Sequence, residues 1–320
     1  MNVAVLEVCH KPYRQSRADC LVPVHAGRAV AAERSKDGTL DASDLAWLRA
    51  NATGDDTGEN ISAMNRNLNE FTALYWAWKN QSALGNPQYL GLVHYRRHFV
   101  VDFDPKGRTY GDVLGLTAEK VRACVDRCGT CCRFFCRTAA GSVADKLKAG
   151  EWGTGAWPYF ERACEIIRRR SEEDFRWVEE TVNGHETGGL CSMFLMKNDV
   201  FDAYCGWLLP VLVELHESID WKTVPWAEQR AAGWCGEILT SVWLHHHAKS
   251  HPVRELPVFC QDGVAKRISA FRYARRKLSE RFLGRTPAPD DDKTLVYEIC
   301  HRLNRLGIGN EITGGGDGRR

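Results

Sequence analysis

His94, Tyr95, Arg96, Arg97 and His98 follow one another directly after the apolar run Tyr89 to Val93. Guanidinium forks match phosphate oxygens bidentately. A cationic cluster just past the carboxyl end of a buried strand is where an open α/β sheet receives an anionic ligand. His94, Arg96 and Arg97 are therefore candidates for binding a diphosphate. Upstream, the loop Gly54-Asp55-Asp56-Thr57-Gly58-Glu59-Asn60 offers Asp55, Asp56 and Asn60 to the hydroxyls of a sugar-like partner. The same string is ordinary turn chemistry, so a purely structural use competes with this one. Adjacent carboxylates also suit a hard cation, and Mn or Mg held by Asp55 and Asp56 is the alternative use. Transfer to an acceptor hydroxyl with inversion needs a base. Glu237 is the candidate from the second half of the chain, with Asp56 as the second catalytic candidate.

These residues need elements to hold them. Val3 to Val8 and Tyr89 to Val93 are apolar enough for buried strands, and Met193 to Met196 reads as a third. Between the first two, residues 28–53 lack a strand pattern and read as helix and loop. Phe71, Leu74, Tyr75 and Trp78 repeat at helical spacing, with Asn67 or Asn69 as the cap and Asn86-Pro87 as the stop. Helices are also predicted over Ala118 to Cys128, over Tyr159 to Arg170 behind Pro158, through Phe201 to Leu215, and over Cys235 to His246. Strands alternating with helices over about 260 residues argue for an α/β sheet domain. Trp76, Trp78, Trp207 and Trp243 fall on core faces of these helices.

Composition narrows the class. The chain has 320 residues, 44% hydrophobic and 26% charged, with a net charge of +2. It is long enough for one large core plus an appendage, and it has no global pull toward nucleic acid. MNVAVLEVCHKPY reads as strand and loop rather than a signal peptide. No apolar run approaches the roughly 20 residues that span a bilayer. A cytoplasmic location is the expectation. Five of the 13 cysteines, Cys124, Cys128, Cys131, Cys132 and Cys136, crowd together without a distant second pair. A structural zinc site needs converging pairs, so the cysteines read as reduced, small apolar residues and no metal site is assigned. His245, His246 and His247 cannot all face one ion from a helix and read as a helix terminus.

The character changes after Pro257. Between Gly263 and Arg285 stand eight basic residues and one acid, Glu280, with Val264, Ile268, Phe271, Leu278 and Phe282 at helical spacing. A basic amphipathic helix of this kind lies on an anionic membrane surface or packs on the domain with a solvated basic face. Residues 286–320 read as an acidic linker, a short helix over Lys293 to Leu306, and a Gly-rich tail. The domain boundaries are therefore 1–262, 263–285 and 286–320.

GDDTGENIS, NEFTALYWAWKN, YLGLVHYRRHF, CHKPY (Cys9 to Tyr13), VPVHAG (Val22 to Gly27) and MFLMKNDVFDAYCGWL (Met193 to Leu208) together resemble a bacterial capsular and exopolysaccharide glycosyltransferase family, formerly a domain of unknown function. The resemblance covers roughly residues 3–260. It implies a GT-A-like fold, a central mixed sheet flanked by helices. It also implies transfer of a sugar from a nucleoside-diphosphate donor, by default a UDP-sugar, to a lipid-linked oligosaccharide of a growing surface polysaccharide. Such folds receive the nucleotide after the first strand, which makes His10 and Lys11 donor-binding candidates. Many GT-A enzymes carry a metal-binding Asp-x-Asp past a central strand. Here His94-Tyr95-Arg96-Arg97 stands there instead, so the cations take the metal's place. The chain departs from the family at Gly150, Gly189 and Ser192, and it lacks a Leu-Pro in the Cys128 to Thr138 region. A catalytically silent nucleotide-sugar binder is therefore the alternative within the fold. A nucleic-acid-binding module resting on 263–285 and Arg168-Arg169-Arg170 is the alternative outside it.

Overall fold

A computed structural model describes residues 2–35, 37–133, 136–137, 140–151, 155–187, 192–261 and 292–308. Strand β1 (Val3–Cys9) is buried along its whole length. Its side chains divide between two cores: Ala4, Leu6 and Val8 join one, Val3 and Val5 the other. A strand covered on both faces has no need of polar alternation, which is why it reads as a continuous apolar run. In chain order there follow β2 (Leu21–His25), β3 (Thr53–Gly54), β4 (Tyr89–His94), β5 (Arg97–Phe99), β6 (Thr130–Arg133), β7 (Cys136–Arg137), β8 (Glu186–Thr187), β9 (Phe194–Lys197), β10 (Val253–Leu256) and β11 (Val258–Cys260).

The main sheet runs β10-β6-β9-β4-β1-β2-β3, with β5 and β11 appended beside β4, and β7 pairs with β8 alone. β1 is parallel to β2 and to β4, whereas β9 is antiparallel to both β4 and β6. The sheet is mixed, as expected. Val3 aligns with Tyr89 and Val5 with Leu21, so the carboxyl ends of β1, β2 and β4 open on one edge.

Helices cover both faces. They are α1 (Ala42–Asn51), α2 (Asn65–Leu68), α3 (Phe71–Lys79), α4 (Tyr110–Leu114), α5 (Ala118–Cys128), α6 (Val143–Lys148), α7 (Trp157–Arg170), α8 (Glu172–Asn183), α9 (Asn198–Glu217), α10 (Ala231–His247) and α11 (Asp292–Arg305). The larger core takes Phe71 and Trp76 of α3, Phe160 of α7, Tyr204 and Leu208 of α9, and Ile238 and Val242 of α10. The smaller takes Val113 of α4, Val121 and Val125 of α5, and Ile299 and Leu303 of α11. Arg302 of α11 donates to the carbonyls of Gly107 and Lys106 at 2.7–3.1 Å, which ties the carboxyl-terminal helix to the domain.

The helix expected through Phe71 to Trp78 is α3, but neither Asn67 nor Asn69 caps it with its side chain. Asn69 has a φ of 52° and separates α2 from α3, whose start carries no side-chain cap. The turn is held from both sides: Arg230 Nε, far along the chain, donates to Asn69 Oδ1 at 2.6 Å, and Asn65 Nδ2 of α2 donates to the Asn69 carbonyl at 2.6 Å. Trp76 and Trp243 are buried as expected. The basic segment 263–285, residues 286–291 of the linker, Gly189 and the tail from 309 lie outside the described residues. Among those described, no helix is long and apolar enough to cross a membrane.

Candidate functional site

A cleft of about 660 Å³ opens where β1, β2 and β4 end. Val8, Cys9 and His10 line it from β1, Ala26 from the residue after β2, and His94 to Arg97 from the end of β4. His94 pairs with Arg97 across the junction of β4 and β5, which makes Tyr95-Arg96 a two-residue hairpin turn at the cleft. Arg96 lies over the Tyr95 ring, 4.9 Å from its centroid. The turn is fixed twice more. β11 pairs with β5, and the Gln261 backbone N–H donates to the Arg96 carbonyl at 2.9 Å. Beneath it, Glu7 and His98 are fully buried, with His98 Nε2 and Glu7 Oε1 2.8 Å apart. Tyr13 donates to the other Glu7 oxygen, and Tyr110 meets His98 Nδ1 at 2.9 Å. A carboxylate this deep persists only with its lone pairs occupied. Tyr13 and His98 occupy them.

The opposite wall comes from the turn before α3 and from α10. Glu70, Asn69, Arg230 and Glu237 line it, with Trp226 at 59% relative exposure on the rim. Glu70 is 7% exposed, and its Oε1 has no hydrogen-bond partner in the structure; His94 Nε2 is 4.0 Å away. Asn69 Nδ2 is likewise buried without a partner. An orphaned buried acceptor and donor each cost about 1–3 kcal/mol. Both side chains line the cleft, although Glu70 Oε1 and Asn69 Nδ2 themselves lie beneath its surface, the latter against Gly233 of α10. Two aromatic or cationic rim groups accompany them: Arg34 lies 5.9 Å from the Trp226 ring centroid.

Of the residues singled out by sequence, the structure gathers His10, His94, Arg96, Arg97 and Glu237 around this one cleft. His10 is held by Asp37, 2.8 Å away, and burial pulls its pKa below the usual histidine value against the opposing pull of Asp37. Lys11 is half-buried in the following loop and does not line the cleft.

The acidic loop is used differently from the sugar-binding expectation. Asp55 is fully buried. Its Oδ2 accepts from the Gly27 amide at 2.8 Å and Thr72 Oγ1 at 2.7 Å, and its Oδ1 accepts from the Arg28 amide at 3.0 Å and from Ser62 Oγ. The protein itself fills the positions foreseen for sugar hydroxyls. Gly27 has a φ of 72° and would carry a Cβ 2.4 Å from the Asn65 side chain, so the Asp55 latch closes on a turn that only glycine fits. Asp56 is exposed and Asn60 caps its own turn, accepting from the Ser62 amide at 3.2 Å; neither lines the cleft. Asp55 and Asp56 thus point to different surroundings and do not fit a shared divalent cation. Among the described residues no group of three or more His, Cys, Asp and Glu side chains could hold a metal ion.

Glu7, Asn69, Glu70, Arg230 and Trp226 carried no sequence signal of their own. Glu7 is a single acid in the otherwise apolar β1, and Asn69 and Glu70 stand where the sequence offers only a helix start. Only the pairing of β1 with β4 and the packing of α10 on α2 make them neighbours of the cleft.

Residues 4–249 match the family described as Domain of unknown function (DUF4422). No curated protein matches the chain. Among solved structures, the apo structure of WbbM, a bifunctional glycosyltransferase, is similar over 81% of this chain at 24% identity, with a TM-score of 0.67. The chain spans 45% of that protein's length, and the likeness is one of fold. A mixed sheet flanked by helices is thus shared with a glycosyltransferase, in keeping with the GT-A-like expectation.

Proposed function

From the premise that this chain belongs to the DUF4422 family, we propose that it is a glycosyltransferase that takes a sugar from a nucleoside-diphosphate donor bound in the β1–β4 cleft. The observation that carries the reading is the convergence of His10, His94, Arg96 and Arg97 on one cleft at the carboxyl ends of β1 and β4. Arginines suit the diphosphate, and the polar Glu70 and Asn69 side chains of the facing wall suit a sugar. The shared fold with a glycosyltransferase supports the same assignment.

In this mechanism Arg96 and Arg97 neutralise the charge that builds on the departing diphosphate, the role that preorganised cations serve without moving during the reaction. His10 and His94 border the same anion. Glu70 and Asn69 orient the donor sugar. Glu237, across the cleft, takes the proton of the acceptor hydroxyl. No step runs through a divalent cation, because Asp55 and Asp56 do not converge. A UDP donor, a lipid-linked acceptor, a role in surface polysaccharide assembly, a cytoplasmic location and membrane docking through 263–285 complete the proposal. They rest on the sequence.

The test is a thermal-shift series with nucleoside diphosphates and their sugars, in EDTA and in manganese, followed by a donor-turnover assay. A ligand at 100 times its Kd stabilises by about 2.7 kcal/mol. The expected result is a shift with one nucleotide that persists in EDTA and vanishes in Arg96→Ala. Glu70→Gln weakens the nucleotide sugar but spares the bare nucleotide, and Glu237→Gln binds the donor without turnover. A folded protein that shifts with no nucleotide would sink the proposal. Binding without turnover in the wild type would make this copy a silent binder.

A further inference from the structure

Three sulfurs gather far from the cleft, on the face covered by α4, α5 and α11. Helix α5 ends at Cys128, and Gly129 turns the chain straight into β6 with a φ of 70°. A Cβ there would lie 2.4 Å from the Pro252 carbonyl, so the turn is closed to other residues. This sharp reversal folds Cys131 back against Cys124, with their Sγ atoms 3.6 Å apart. Both are buried, at 2% and 0% exposure, whereas Cys128 is half-buried and reaches solvent. Cys128 also has cationic neighbours: Arg254 Nη1 of β10 donates to its sulfur at 3.3 Å, and Arg127 precedes it in the chain.

A thiol that is partly exposed, set among cations and backed by a second thiol is the surrounding in which cysteines oxidise selectively. The second thiol here is Cys124, one turn before Cys128 on α5 and 3.6 Å from Cys131. In the buried pair the hydrogen bond from Cys131 holds the Cys124 thiol below its ordinary pKa, with Arg254 and Arg127 adding to the effect, and the Cys131 thiol is pushed up by the same contact.

We propose that Cys128, Cys124 and Cys131 form a peroxide-oxidation site, in which Cys128 is attacked first and a Cys124–Cys131 disulfide is the product. The Cys128 sulfur takes one oxygen of the peroxide as the O–O bond breaks, giving a sulfenic acid and releasing water or an alcohol. The Cys124 thiolate attacks that sulfur, forming a disulfide and expelling hydroxide, which leaves as water with a proton. Cys131 then attacks Cys124 and displaces Cys128 as a thiolate beside Arg254. The net change is two thiols oxidised and one peroxide reduced. The site is independent of the donor cleft, and its test reads no transferase activity.

Trypsin cuts after Arg122, Arg127 and Arg133 and so separates Cys124, in residues 123–127, from Cys128, Cys131 and Cys132, in residues 128–133. The folded full-length chain is treated with hydrogen peroxide at stoichiometric levels. Free thiols are alkylated, the disulfide is reduced, and the released thiols receive a second label. The expected result is a cross-link between the two peptides with the second label on Cys124 and Cys131. In Cys128→Ser the same link forms at least tenfold more slowly, and in Cys131→Ser the link stops at Cys124–Cys128. Absence of any cross-link, a link through Cys132, or an unchanged rate in Cys128→Ser would each overturn the proposal. Because the wild-type protein alone gives the linkage, a variant that misfolds leaves the test intact.

Discussion

Replacing Asp55 with asparagine separates a structural latch from a ligand-binding residue. The side chain is fully buried and accepts four hydrogen bonds, two from backbone amides and two from hydroxyls. The Ser62 and Thr72 hydroxyls can rotate, but the Gly27 and Arg28 amides cannot. An Asn side chain has the same shape yet turns one acceptor into a donor, so at least one amide is left facing an N–H. An orphaned buried donor costs about 1–3 kcal/mol, and a bond to a charged acceptor is worth about 1.5–3. The expected loss is therefore about 2–4 kcal/mol. For a domain of this size each kcal/mol moves Tm by about 2–4 °C, which places the shift at roughly 4–16 °C downward. Urea denaturation followed by tryptophan fluorescence, with m held constant, reads the same quantity. Donor affinity measured below the new Tm should stay within a few-fold of the wild type, because no oxygen of Asp55 is open to a ligand. A variant whose Tm moves by less than 2 °C while nucleotide-sugar binding is lost would refute this reasoning and restore Asp55 to the sugar site.

Two further outcomes follow from buried groups. Glu7→Ala leaves the Tyr13 hydroxyl and His98 Nε2 without their acceptor. At about 1–3 kcal/mol for each orphan, stability should fall by about 2–5 kcal/mol in urea titration. Nucleotide affinity should weaken as well, because β5 carries Arg97 and adjoins Arg96; intact affinity in the folded variant would show that the pair does not position the arginines. His25 is held near a pKa of about 4 by burial first and by Arg28 second, against 6.5 for the free side chain. A depressed histidine pKa means the unfolded chain binds the extra proton first, so stability is full above pH 6.5 and is lost as pH falls toward 4. At 1.36 kcal/mol per unit, His25 alone accounts for up to about 3 kcal/mol of that loss. His25→Gln should flatten the slope of Tm between pH 6.5 and 4.5; an unchanged slope would assign the acid sensitivity elsewhere.

Local pattern was enough for the three strands β1, β4 and β9 and for the helices α3, α5, α7, α9, α10 and α11. Val3 to Val8, Tyr89 to Val93 and Ala118 to Cys128 are found within a residue or so of where periodicity places them, because burial on one face or both is written into neighbouring residues. Arg96 and Arg97 were legible for a related reason: a β4 strand that ends in cations announces what its carboxyl end presents. The left-handed turn at Asn69 was not legible, since the residue that holds its side chain, Arg230, is 161 positions away in sequence. Asp55 shows the deeper limit. An exposed acid in a turn and a buried acid that fastens a turn have the same neighbours in sequence. What divides them is whether Gly27, Arg28, Ser62 and Thr72 arrive in space to fill its lone pairs. The converse holds at Glu70, which stands at a helix start and looks like a surface carboxylate, yet folding leaves one of its oxygens buried and unmet. A sequence shows which groups are able to bind; the fold decides which of them the protein satisfies for itself. In this cleft the side chains left over, Glu70 and Asn69, were absent from the sequence-based site, and the most conspicuous acid in that site, Asp55, is spent on the fold.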